Sequence, residues 1–146
     1  MTDVSDAPPP LVPAIDDHDT AGFFEAAARG ELAIRSCGDC GTALHVPVAH
    51  CWSCGSWDTS WTATAGTGHL YSWTVVAHQV HPSYPAPYTV VLVELDDRPG
   101  VRLVGHIPGR PDLHAGQPME VWFDTLPGGV AIPQWRATPL TANARS

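Results

Sequence analysis

The chain reads as mainly β, with an N-terminal helix, a rubredoxin-like zinc ribbon and a five-stranded OB-fold barrel. Three observations predict this. All four cysteines fall within "CGDCGTALHVPVAHCWSCG", residues 37–55, as two Cys-x-x-Cys-Gly hooks. Fifteen prolines and thirteen glycines punctuate short apolar runs, the turn chemistry of a chain with many short strands. From residue 66 onward, five strand-like runs fit into roughly seventy residues with a polar break between the third and fourth, as in a Greek-key barrel. At 146 residues the chain suits one ordinary domain or two very small ones.

The elements follow in order. Residues 1–18 are rich in Pro and Asp, with Leu11, Val12 and Ile15 among their few large apolar side chains, and are expected to be a flexible acidic tail. Residues 19–30, "DTAGFFEAAARG", read as a short helix. Asp19 or Thr20 can cap it, and Gly30 suits the position just past its end. Phe23, Phe24 and Ala27 share one apolar face, which can pack on its own domain or dock on another subunit. The ribbon is expected over 31–64, with "ELAIRS" and "SWDTSWTATAG" as strands. "TALHVPVAH" alternates like a strand with a proline break. The barrel is expected over 65–138, built from "GTGHLYSWTVVAH", "PYTVVLVELDD", "VRLVGHI", "MEVWFDTL" and "VAIPQWRA". One helical turn is expected near Pro111–His114, and residues 139–146 form a C-terminal tail. In the fourth barrel strand Met119, Val121 and Phe123 alternate with Glu120, Trp122 and Asp124, so one face is expected inside. The first two barrel strands are apolar on both faces and are expected either to be buried or to cover a partner.

Charge narrows the function classes. The formal net charge is −8, and the chain has no lysine. Nucleic-acid binding draws on basic surface that neutralises phosphates, which argues against that role. No run approaches the ~18 apolar residues of a membrane span. "MTDVSDAPPP" lacks the basic and apolar regions of a secretory signal, so a cytoplasmic location is expected, where cysteines stay reduced.

The cysteine spacing is that of tetrahedral zinc. Two intervening residues let one tight turn place both thiolates of a hook on one ion at about 2.3 Å. Gly41 and Gly55 follow the hooks and tolerate the positive φ that such a turn requires, so that backbone amides can be aimed at sulfur. Cys37, Cys40, Cys51 and Cys54 close the shell with four sulfurs, which makes the zinc structural; a catalytic zinc keeps a position open for water. His45 and His50, between the hooks, are read as ribbon surface.

No nucleophile elbow, phosphate-binding loop, dinucleotide fingerprint or zinc-protease motif is present, so no catalytic residue is assigned. Among the remaining histidines, His69 and His78 read as strand-surface residues. The aromatic residues are more suggestive. "HQVHPSYPAPY", residues 78–88, is a connection stiffened by three prolines that carries His81, Tyr84 and Tyr88. Loops on a rigid scaffold often carry function, and aromatic side chains with polar tips are enriched at interfaces.

Taken together, "FFEAAARGEL", the cysteine ribbon, "GTGHLYSWTVV", "HPSYPAPYTVVLVELDD" and "GVAIPQW" resemble the bacterial and archaeal zinc-ribbon/OB-fold proteins catalogued as domain of unknown function 35, the acyl-CoA-associated proteins. The resemblance runs from about residue 20 to residue 137, and all four cysteines match. It implies a non-catalytic or co-catalytic subunit of a hetero-oligomer. The implied partner is a thiolase-fold or lipid-transfer-like enzyme, such as a steroid side-chain aldolase or an acyltransferase. Some relatives pair with an enoyl-CoA hydratase. Acyl-CoA is the ligand it implies, shared with the partner. The contact residues expected for partner or substrate are His81, Tyr84, Tyr88, Trp73, Phe23 and Phe24. Arg98, Arg102, Arg110 and Arg136 are either candidates for CoA phosphates or partners of nearby acids. A single-stranded nucleic-acid-binding module and an independent small enzyme are the alternatives.

Overall fold

The computed structural model describes residues 8–139, so the parts of the expected tails at 1–7 and 140–146 lie outside the described residues. Residues 8–18 form no helix or strand and are exposed. Helix α1 spans Ala21–Ala28. Thr20 stands at its N-cap without a side-chain cap bond. The Asp19 carboxylate instead accepts from the Ala49 amide at 3.0 Å, tying the helix start to the ribbon. At the other end Gly30 takes φ 75°, and its amide and that of Glu31 donate to Ala27 and Ala26. This paired closure satisfies carbonyls that the last turn leaves open. Gly22 lies flat on Trp61, where a Cβ would sit 2.1 Å from the indole. The helix therefore packs on its own chain, with Ala26 and Ala27 buried and Phe23 and Phe24 half-buried.

The ribbon has two antiparallel strands, β1 (Ala33–Cys37) and β2 (Thr59–Ala63). The segment between the hooks makes only one bridge, Ser36 to Ala43, so the strand expected from "TALHVPVAH" does not form. Both of its ends are pinned to the cysteine turns, which leaves no length for a ladder.

The barrel is one sheet of five antiparallel strands. They are β3 (Thr67–Val76), β4 (Tyr88–Leu95), β5 (Arg102–Pro108), β6 (Pro118–Thr125) and β7 (Ala131–Ala137), in spatial order β5-β4-β3-β6-β7. The outer strands face each other. The His106 amide donates to Gln134 Oε1 at 2.7 Å, and Gly105 approaches Trp135 so closely that a Cβ would lie 2.8 Å from its ring. Side chains thus close the barrel where no backbone ladder is formed between β5 and β7. This order and closure are those of the expected OB fold.

β4 alternates fully, with Thr89, Val91, Val93 and Leu95 inside. In β6 Met119 is buried, and Val121 and Phe123 pack half-buried on the core. The opposite row is half-covered too, and Trp122 borders a hollow with Pro111–Leu113. Those residues form no helical turn: the Gln117 side chain accepts the His114 amide at 2.8 Å and holds the segment open. Leu32 and Ile34 of the ribbon join Leu70, Val91, Met119 and Trp135 in one core. Ribbon and barrel are therefore packed as a unit.

β3 changes character along its length. It pairs with β6 only over Thr67–His69, and a bulge between Leu70 and Ser72 follows. From Tyr71 to Val75 it is an edge strand held by β4 alone and exposed on both faces. Tyr71 is 49% exposed, Trp73 and Val75 38% each, and Val80 beyond the strand 81%. No helix among the described residues is long and apolar enough to cross a membrane.

Candidate functional site

The two cysteine hooks fold alike, because each repeats the same hydrogen bonds. The Cys37 and Cys51 amides donate to the carbonyls of Thr42 and Ser56 at 2.9 and 2.8 Å. The Gly41 and Gly55 amides donate back to the carbonyls of Cys37 and Cys51 at 3.0 and 2.9 Å. Both glycines have positive φ, 74° and 80°. The turns aim backbone amides at sulfur as expected, although not those of the glycines, which go to carbonyls. The amides that reach sulfur are those of Thr42 and Ser56, at Cys40 and Cys54.

The four Sγ atoms lie within 4.8 Å of one another, with Cys37–Cys54 at 3.6 Å and Cys40–Cys51 at 3.7 Å. A tetrahedron with bonds of about 2.3 Å has edges of about 3.8 Å, so the cluster fits one zinc ion. The Thr42 hydroxyl and amide bring the Cys40 thiol down to about 6, ready to ligate as thiolate. At Cys54 the Ser56 amide pulls downward, but the neighbouring Cys40 sulfur and burial push the thiol up to about 12. A cation is what lets four crowded sulfurs ionise together. Leu44 is fully buried with Cys37 and Cys51 and forms the small apolar floor of the cluster. His45 and His50 stay exposed and outside it, the latter 4.7 Å from the Trp57 ring.

The second feature is an apolar trough along the β5–β7 seam. Tyr84, Tyr88, Val90, Val104, His106 and Ile132 line a hollow of about 370 Å³. The rings of Tyr84 and Tyr88 stand 5.2 and 5.1 Å from that of His106 and 6.0 Å from each other. Burial pushes the His106 imidazole below its ordinary pKa, while Asp124 pulls the other way. A neighbouring hollow shares Val104, Ile132 and Pro133 and reaches Phe23, His45 and Arg102. Pro10 and Leu11 border the opposite end, beside Tyr84 and Asp124.

The expected contact residues are thus partly brought together. Tyr84 and Tyr88 form the trough wall. His81 turns away into its own loop, its Nδ1 accepting the Ser83 amide at 3.1 Å. Trp73 stands on the exposed β3 edge. Phe23 and Phe24 line a separate apolar hollow with Trp61 and Leu44, and Phe23 also borders the hollow next to the trough. Sequence spacing does not single out His106, Gln134 or Ile132. They meet only through barrel closure, which leaves no local pattern in the sequence.

Three of the four arginines considered for phosphates are engaged with acids. Arg102 donates to Glu94 at 2.8 Å and stacks on Tyr71 at 3.7 Å. Arg136 donates to Glu120 at 2.7 Å, and Arg98 lies 3.5 Å from Asp97. The Arg102 hydrogen bond holds the Glu94 carboxyl below its ordinary range. His69 sits 3.4 Å from Asp96 and 3.9 Å from Glu94 on the barrel surface.

Comparison with known proteins gives a consistent picture. The family model of the ChsH2 rubredoxin-like zinc ribbon matches residues 24–58, and that of the ChsH2 C-terminal OB-fold domain matches 61–124. A probable enoyl-CoA hydratase alpha subunit from Thermomonospora curvata is 42% identical over 118 residues, 79% of this chain and 36% of the relative. The 3-oxo-4,17-pregnadiene-20-carboxyl-CoA hydratase alpha subunit of Mycobacterium tuberculosis is 29% identical over 111 residues, 75% of this chain and 35% of the relative. The chain therefore spans about a third of these curated relatives. A solved structure described as an Ltp2-ChsH2(DUF35) aldolase matches with TM-score 0.78 and 37% identity, covering 86% of this chain and 98% of that one. A DUF35 protein from Sulfolobus solfataricus has a TM-score of 0.52 at 13% identity over 69% of this chain and 75% of that one, which shows the fold alone.

Proposed function

The chain belongs to the ChsH2 (DUF35) family of zinc-ribbon/OB-fold proteins, and from that premise we propose that it is a partner subunit of a thiolase-like acyl-CoA enzyme. It binds a lipid-transfer-type enzyme and helps hold acyl-CoA beside that enzyme's active site, in a steroid side-chain aldolase, a C–C lyase assembly. The observation that carries this reading is the β3 edge. Tyr71, Trp73 and Val75 are uncharged and exposed on the part of β3 beyond its β6 pairing, where no strand among the described residues covers its second side. Edge strands of this kind are normally blunted by charge or cover, and one left open is a docking template. The likeness to the ChsH2 chain of an aldolase supports the choice of partner.

Within this reading the zinc supplies folding free energy and no Lewis acid, since a four-sulfur shell has no open position. Cys37, Cys40, Cys51 and Cys54 hold it and thereby fix the ribbon against α1. The trough and the β3 edge carry the contacts: Tyr84 and Tyr88 toward the acyl group, Trp73 toward the partner, with His81, Phe23 and Phe24 flanking. Catalytic groups come from the partner. The division into tail 1–18, helix 19–30, ribbon 31–64, barrel 65–138 and tail 139–146 belongs to the same proposal. So does a reducing, cytoplasmic setting for the thiols.

Co-expression with a thiolase-like enzyme encoded beside it tests the reading. The two should co-purify as a hetero-oligomer with lyase activity, and this chain alone should turn nothing over. A chain that stays a well-behaved monomer and never joins that enzyme overturns it.

A further inference from the structure

His106 carries the only buried side-chain nitrogen or oxygen among the described residues that has no hydrogen-bond partner, its Nε2. Nearly all such groups in folded proteins are paired, and each exception calls for a reason. The position of this one is informative. It lies where the trough is deepest in aromatic rings, between Tyr84 and Tyr88, under walls formed by Val90, Val104 and Ile132. The His106 backbone is fixed by the Gln134 latch, so the imidazole is held at a set place on the seam. Of its two covers, Tyr88 stands on β4, whereas Tyr84 sits in a loop whose neighbours Ser83 and Pro85 are both exposed. A ligand oxygen reaches the buried Nε2 only when the Tyr84 ring, 5.2 Å from that of His106, moves aside.

We propose that His106 Nε2 is the hydrogen-bonding anchor of a binding site for a neutral, fused-ring acyl group bearing a ketone or hydroxyl oxygen. This rests on the reading above and specifies which end of the acyl-CoA the barrel face takes. A hollow of about 370 Å³ is within the usual range for small-molecule sites, which are apolar with a few placed polar groups. No Arg lines it. Arg102, in the adjoining hollow, is engaged by Glu94. The phosphates of CoA find no clamp here, and the uncharged acyl end does. A site built to pair one oxygen also rejects analogues that lack it, because the imidazole nitrogen would again be buried alone.

The test is calorimetric titration of the full chain with progesterone, an uncharged fused-ring ketone, and separately with free CoA. Micromolar binding of progesterone is expected, with free CoA failing to compete. His106→Phe keeps a flat ring between the two tyrosines and removes the unpaired nitrogen. It should fold with unchanged or raised thermal stability while binding progesterone at least tenfold more weakly. The imidazole ¹⁵N signal of the wild type should shift on titration. Absence of progesterone binding, equal binding by His106→Phe, or displacement by free CoA would each overturn the proposal. Assembly with the thiolase-like enzyme is measured independently on the wild type. Assembly without progesterone binding sinks the acyl site alone, and failure to assemble sinks the subunit reading whatever the titration shows.

Discussion

Cys37 and Cys51 are buried while Cys40 and Cys54 face solvent, so each hook places one sulfur in the protein and one at its rim. This alternation follows from Cys-x-x-Cys spacing plus a glycine, and it makes the site legible in the sequence alone. The whole determinant lies within nineteen residues, 37–55, and repeats itself. His106 is the opposite case. Nothing in "VRLVGHI" marks it, because its setting is made by Tyr84 from one direction and by Gln134 from twenty-eight residues away. Its chemistry nevertheless makes a pH prediction. The folded state lowers the pKa, so between that value and the ordinary 6.5 the unfolded chain binds more protons than the native one. Its contribution to stability is therefore complete above about pH 6.5 and is lost as pH falls below it. Urea midpoints of the wild type should drop from pH 7.5 to pH 5 more steeply than those of His106→Phe. Parallel pH profiles would show that the imidazole is not coupled to folding.

At the scale of elements, the strands are legible wherever alternation is clean, as in β4, and less so where tertiary closure decides. The helix expected over 19–30 runs over Ala21–Ala28 because Asp19 is drawn into the ribbon by Ala49. The segment between the hooks has a strand-like alternation that two anchored ends overrule. The seam depends on one position. Gly105→Ala would put a methyl against the Trp135 ring, 3.3 Å from the Trp135 amide nitrogen and 3.3 Å from Val91. Overpacking of this kind costs about 1–3 kcal/mol, which a chemical denaturation curve would read as a lower midpoint with unchanged slope. The β3 edge should behave differently. Val75→Asp places a charge on an exposed strand position and should leave the melting temperature within a few degrees while abolishing co-purification with the enzyme partner. If Val75→Asp assembles as well as the wild type, the docking surface lies elsewhere.

For the molecule as a whole, the shared core couples metal to barrel. Leu32 and Ile34 leave the ribbon and enter the cluster that surrounds Trp135. Zinc contributes on the order of 10–16 kcal/mol in small zinc modules, comparable with the roughly 5–15 kcal/mol that keeps a domain folded. Chelation should therefore release about one zinc per chain and also shift tryptophan emission to the red as the barrel loosens, in a single transition. Two separated transitions would mean that the barrel stands without the ribbon. The open β3 edge has a different consequence, one of supply. A strand rim of Tyr, Ser, Trp, Thr and Val with no charge across residues 71–76 can pair with any exposed strand it meets, including its own copy. On the subunit reading proposed above, synthesis in excess of the partner enzyme would feed self-association, so a cell would gain by making the two chains together and in matched amounts.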